Sequence, residues 1–140
     1  MPEKRYKQID HTADLGIDVF GKDLKSLFEN AAFAYADIIT DFSGIKLTQE
    51  KVFSVEADDV ELLLNFWLTE FLRSFFVDKM LYCAYNITEI SDTKLVCIAK
   101  GEPYQQGRHE IKKEIKAVTF HQLSVKKTLD GYEARVVFDT

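Results

Sequence analysis

The sequence predicts an α+β domain with two main helices packed on mixed, mainly antiparallel β-sheet. Two observations carry this. Two segments repeat apolar residues at helical spacing, and from Tyr82 onward the chain is a series of short, strand-like runs separated by turn residues. A length of 140 residues suits one domain with a real core and is too short for two, so residues 1–140 read as a single domain.

Tyr6 to His11 reads as a short strand. Leu15 to Phe20 reads as a second, with Leu15, Ile17 and Val19 alternating and Gly21 ending it. Asp23 is a helix N-cap. Leu24, Leu27, Phe28, Ala31, Ala32, Tyr35 and Ile38 then give an amphipathic helix from Leu24 to Ile39, with Lys25, Glu29 and Asn30 on its polar face. Ser43-Gly44 marks a turn, and Lys46 to Ala57 alternates as a strand. The second helix, Val60 to Val77, is apolar on more than one side, so it is a core helix or is covered by a partner. Glu70 and Arg73 interrupt it and exclude a membrane span. Tyr82 to Ile90, Lys94 to Glu102, Ala117 to Lys126 and Tyr132 to Phe138 read as four strands, with turns at Ser91-Asp92 and Asp130-Gly131. The polar stretch between Gly101 and Lys116 is long enough to be a functional loop.

Composition narrows the function classes. Apolar residues make up 46%, with 11 Phe and 6 Tyr, so a packed interior is expected. A net charge of −5 argues against electrostatic capture of nucleic acid, which depends on Lys and Arg neutralising phosphates. Cys83 and Cys97 lie in apolar strands and are expected to be free thiols, although neighbouring strands leave a disulfide open. The polar start, Met1-Pro2-Glu3-Lys4-Arg5, is unlike a secretory leader, so a cytoplasmic protein is expected. Phosphate-cradling glycine loops and a nucleophile elbow are both missing.

Two acidic residues stand out. Asp139 ends the run Arg135 to Phe138, and Asp14 precedes the second strand. Carboxylates at the two ends of a small domain could meet and hold a hard cation. Equally, Asp14 could serve a turn and Asp139 a polar tail. Thr140 could add a backbone carbonyl or, if the native chain ends there, a terminal carboxylate. All-oxygen ligation favours calcium or magnesium over zinc. His11 could orient a carboxylate, contribute a nitrogen, or be structural. Strand alternation places His121 with Ala117 and Thr119, opposite Val118 and Phe120. His109 falls in the long loop, where an exposed imidazole is uninformative. Lys116 could reach a phosphate or be a solvated strand-edge residue, and Asp59 is best read as the N-cap of the second helix.

His11-Thr12-Ala13-Asp14-Leu15-Gly16, the segment Glu114 to His121, and the ending Phe138-Asp139-Thr140 together resemble the archease family, across essentially the whole chain. One departure is visible: Phe120 stands where the family often has Tyr. The resemblance implies a metal site at the Asp14 and Asp139 positions and a functional acidic residue at Asp59. It implies a non-enzymatic partner of the RNA-splicing ligase RtcB, one that promotes ligase guanylylation, sustains multiple turnover in tRNA splicing and broadens nucleotide use. RNA would then be met only indirectly, and no membrane is involved. Two other readings stay open: a small metal-dependent phosphoester hydrolase using the same carboxylates, and a chaperone-like binding module using the second helix.

Overall fold

The computed structural model describes residues 5–11 and 14–140, with the side chains of Asp10 and His11 left undescribed. The chain runs β1 (Tyr6–His11), β2 (Asp14–Gly21), α1 (Leu24–Ile39), a 3-10 turn (Phe42–Gly44), β3 (Gln49–Glu56) and α2 (Val60–Asp78). It continues through β4 (Met80–Ile90), β5 (Lys94–Pro103), β6 (Ala117–Val118), β7 (Ser124–Thr128) and β8 (Gly131–Asp139). Both helices lie close to their expected bounds because each carries its own start signal. Asp23 accepts from the Ser26 backbone N–H at 2.8 Å and Ser26 answers in a capping box, while Asp59 accepts from the Leu62 N–H at 2.8 Å.

The strands form two sheets rather than one. Five strands assemble in the order β1-β2-β8-β6, with β7 also on β8, and three assemble as β3-β5-β4. Every pairing between these strands is antiparallel. Both helices pack between the sheets, and one apolar cluster joins all the layers. The helices are tied where they cross: Trp67, fully buried on α2, donates its indole N–H to the Phe28 carbonyl of α1 at 2.9 Å. That bond satisfies a polar atom which would otherwise cost about 1–3 kcal/mol to bury. α2 is thus the core helix, burying Leu63, Leu64, Leu68, Phe71 and Leu72, while Phe66, Phe76 and Val77 reach solvent. Two residues of the expected polar face of α1 do internal work: Asn30 donates to the Phe20 carbonyl, and Glu29 accepts from the Ile87 N–H.

Glycine is required where β8 begins. Gly131 has φ +151° in the β7–β8 turn, and a Cβ there would meet the Gly21 carbonyl at 2.2 Å.

Three expectations need correction. The strand expected over Lys46 to Ala57 is shorter, because Lys46 donates its N–H to the Glu102 carboxylate instead of a ladder. The strand expected over Ala117 to Lys126 is broken: β6 stops at Val118, a turn follows, and β7 starts at Ser124. His121 therefore lies in that turn, and strand alternation does not set its direction. His109 is buried, not exposed, and belongs to a polar knot. The Glu102 carboxylate accepts from the Arg108 guanidinium and from His109 Nε2 at 3.0 Å, while His109 Nδ1 accepts from the Gln105 N–H at 2.9 Å. Accepting at Nδ1 leaves the imidazole proton on Nε2, where it is donated to Glu102. This knot fixes the start of the long loop. Farther along, the loop is held by Thr40, whose hydroxyl donates to the Glu110 carbonyl at 2.7 Å, and by the Lys112 N–H on the Ile39 carbonyl at 2.8 Å.

Both cysteines are free, and burial pushes the Cys97 thiol up to about 12, far from thiolate chemistry at neutral pH. Among the described residues no helix is long and apolar enough to cross a membrane.

Candidate functional site

The register of the five-stranded sheet brings the two ends of the sequence together. On β1 and β2, His11 faces Asp14. On β2 and β8, Asp14 faces Asp139, and on β8 and β6, Asp139 faces Ala117. One row across four strands thus carries His11, Asp14, Asp139 and Ala117 at one end of the sheet. Directly opposed residues of an antiparallel pair share a face, with Cβ atoms about 4.5–5.5 Å apart. The two carboxylates therefore stand side by side, Asp14 half-buried and Asp139 exposed.

Alternation places this pair on the face away from the helices. Leu15, Ile17 and Val19 of β2 and Ala134, Val136 and Phe138 of β8 enter the core, so Asp14, Asp18, Arg135, Val137 and Asp139 take the other face. Four positions along from Asp14, Asp18 faces Arg135, which donates to it twice, at 2.8 and 3.0 Å. The Arg135 hydrogen bonds hold the Asp18 carboxyl below its usual range, against the opposing effect of burial.

Lys116 joins the row through its backbone. Its N–H donates to the Asp139 carbonyl at 2.7 Å, and its side chain is exposed. Thr140 follows Asp139 directly and is half-buried. The backbone of His11 is in the row, but its side chain, like Thr12 and Ala13 of the same motif, lies outside the described residues. His121 is exposed in the turn after β6, its N–H donating to the Thr119 hydroxyl at 3.2 Å. Asp59 belongs to the start of α2 and not to the strand row. Its carboxylate caps α2, whose first turn lies against β7 through Glu61 and the Val125 N–H. Farther along the helix, about 9 Å from Asp59 at 1.5 Å per residue, Asn65 hydrogen-bonds to the Val118 carbonyl of β6.

Two opposed carboxylates repel each other unless a cation or proton stands between them. Among the described residues no group of three or more His, Cys, Asp or Glu side chains gathers in a way that could hold a metal ion. An ion here would take two side-chain carboxylates and complete its shell with backbone oxygen, water or a partner's atoms. That donor set would favour a hard, oxygen-seeking cation such as calcium or magnesium over zinc.

Sequence reasoning missed Asn65. Its buried carboxamide donates to the Val118 and Thr119 carbonyls at 3.1 and 3.2 Å, where β6 breaks off next to Asp139. A lone Asn inside an apolar helix was the available signal.

Residues 6–140 match the model of the Archease protein family (MTH1598/TM1083). The chain is 36% identical to the protein archease of Methanosarcina acetivorans, covering 97% of this chain and 96% of that one. It is 38% identical to that of Archaeoglobus fulgidus, covering 96% and 98%, and 32% identical to a protein archease-like of Drosophila melanogaster, covering 99% and 92%. A solution structure of Methanobacterium thermoautotrophicum protein 1598 superposes with a TM-score of 0.80 at 34% identity, over 97% of this chain and 99% of that one. A crystal structure from Thermotoga maritima, of a protein named an archease, possible chaperone, gives 0.67 at 25% identity over the full length of both. By sequence over nearly its whole length and by fold, the chain belongs to the archease family.

Proposed function

We propose that this protein is a non-enzymatic activator of the RNA-splicing ligase RtcB, acting through the acidic pair at the end of the five-stranded sheet. The reading rests on family membership and on one observation: the register sets Asp14 directly opposite Asp139 at an accessible sheet end. Such a pair favours a divalent cation, calcium or magnesium, with open coordination positions. A partner carrying its own metal and nucleotide triphosphate can complete that shell. Holding the ion and the triphosphate in one geometry lowers the barrier to guanylylation by orientation, without any bond being made by the activator. Lys116, next to the pair, is suited to a phosphate oxygen as a point charge. The net charge of −5 speeds approach to a basic, RNA-binding rim.

The test is ligase guanylylation by mass shift, together with multiple-turnover RNA joining, at substoichiometric amounts of this protein. Wild type is expected to stimulate both, and Asp14→Ala and Asp139→Ala to lose stimulation while keeping the fold. Equal stimulation by all three proteins removes the acidic pair from the mechanism. A protein that hydrolyses phosphoesters alone, with no effect on the ligase, replaces this reading with the hydrolase.

The chaperone-like reading keeps one specific support, the name carried by the Thermotoga relative. It predicts client protection that is indifferent to Asp139→Ala.

A further inference from the structure

Between β6 and β7 the chain leaves the edge of β8 in an unusual way. Val118 faces Phe138 and Ser124 faces Arg135, so Thr119 through Leu123 lie opposite only Val136 and Val137. The bulge contains neither Gly nor Pro, and Gln122 takes a left-handed φ of 55°. Side chains hold it from below. Asn65, 3% exposed, donates to the Val118 and Thr119 carbonyls, and its own oxygen accepts from Thr69 at 3.3 Å. The Thr119 N–H and hydroxyl both donate to the Val137 carbonyl, at 3.0 and 2.8 Å, and the same hydroxyl accepts from the His121 N–H. The Leu123 N–H closes the turn on the Phe120 carbonyl at 3.3 Å.

What this framework presents is an aromatic ring in water: Phe120 is 64% exposed. Single exposed apolar residues are ordinary. This one differs in being carried on a segment fixed by a buried amide and a bridging hydroxyl, which removes the ordering cost that a flexible loop bears on binding. It also follows closely on β6, the strand that pairs with the Asp139 end of β8. Phe120 is three residues beyond Ala117, the strand partner of Asp139, so about 10 Å of chain and about 5 Å across the strand pair put Phe120 within about 16 Å of Asp139. Leu129, more exposed still, sits at the other end of β8 in the hairpin turn.

We infer that Phe120 is an apolar anchor by which this protein docks on its ligase partner beside the Asp14/Asp139 pair, with Asn65 and Thr119 as positioning residues that preset it. The inference rests on the ligase-activator reading. It assigns binding to the bulge and stimulation to the carboxylates. Preorganised aromatic anchors near the centre of an interface carry a large share of its binding energy. The ligase is thus expected to offer an apolar pocket next to the basic rim that receives the acidic pair.

The experiment is a titration of ligase guanylylation against concentration of this protein, reading the half-saturating concentration and the maximum separately. Asp139→Ala is expected to lose the maximum. Phe120→Ala should keep it and shift half-saturation upward by about tenfold or more, as truncation of an interface anchor does. Phe120→Lys should behave likewise, so that the result does not hang on one variant, and Phe120→Tyr should stay near wild type. Thr119→Val, which leaves the ring in place but removes two of its supports, should shift half-saturation by a smaller factor at unchanged maximum. Phe120→Ala and Phe120→Lys curves that superpose on wild type overturn the anchor while leaving activation intact. A lowered maximum at saturation overturns it too, by moving Phe120 into the machinery. Absence of any wild-type stimulation removes the activator reading, and this inference with it.

Discussion

Asp14 and Asp18 are four residues apart on one face of one strand, and the strand opposite treats them in contrary ways. Asp18 faces Arg135, is 2% exposed and accepts from Nε and Nη2 of the guanidinium, with Lys7 at 3.9 Å on its other side. Asp14 faces a second carboxylate, Asp139, at the accessible end. The first arrangement is what a fold does with an acid it must bury: a bidentate pair and added hydrogen bonds offset desolvation. The second places like charges opposite each other, which weakens a sheet. One ladder holds both arrangements, an arginine opposite the buried acid and a carboxylate opposite the accessible one. The proposed function assigns the second arrangement, not the first, to contact with a partner.

The comparison breaks most readily at Arg135. Arg135→Ala strands a buried carboxylate and is expected to cost about 3 kcal/mol, with the partial exposure of Arg135 keeping it at the low end of the range for broken buried pairs. Urea unfolding measures it, and a loss under about 1 kcal/mol would make Asp18 as dispensable to the fold as Asp139. Cation addition comes next. Calcium or magnesium at about tenfold over its dissociation constant should stabilise wild type by about 1.4 kcal/mol and leave Asp139→Asn unmoved. An equal melting shift in both proteins would place the ion elsewhere. The smallest effect has the opposite sign. In chelator, Asp139→Asn should be more stable than wild type by about 0.2–1 kcal/mol, because a like-charge pair is removed. A lower melting temperature instead would make Asp139 a structural residue.

Glu102 sharpens the contrast through pH. Its hydrogen bond from Arg108 holds its carboxyl down at about 2 from the usual 4.5, with the Lys46 N–H and His109 adding to the effect and burial opposing it. The folded value lies below the unfolded one, so the stabilisation is complete above about pH 4.5 and fades as pH falls toward 2. Glu102→Gln should flatten that part of the stability curve. Parallel acid limbs for the two proteins would show that the knot does not hold the loop.

Much of this was legible in the sequence. The helices were, because Asp23 and Asp59 announce their starts and apolar spacing fixes their extents. The strands of β4 and β5 were, because alternation and a polar turn coincide. The acids at positions 14 and 139 were legible as a pair that could meet, but not their exact opposition, which depends on the register of strands far apart in the chain. The break after Val118 was hidden because its cause is remote: Asn65 satisfies the carbonyls that the ladder would have used, and no Gly or Pro marks the place. The Glu102 knot was hidden for a similar reason. A loop folding back over a strand end buries a carboxylate that local pattern would leave in water.

β8 comes last in the chain and yet runs through the middle of its sheet, touching β2, β6 and β7. During synthesis β1 and β2 must therefore wait, with one edge unsatisfied, until β8 has emerged. The β3-β5-β4 sheet has all its strands earlier and closer together in sequence, so it is free to assemble first. The half-formed sheet and the half-formed acidic row are completed in the same event, by the same strand. A chain interrupted before β8 would lack both, so that a molecule able to present two carboxylates is one whose translation has already passed Asp139.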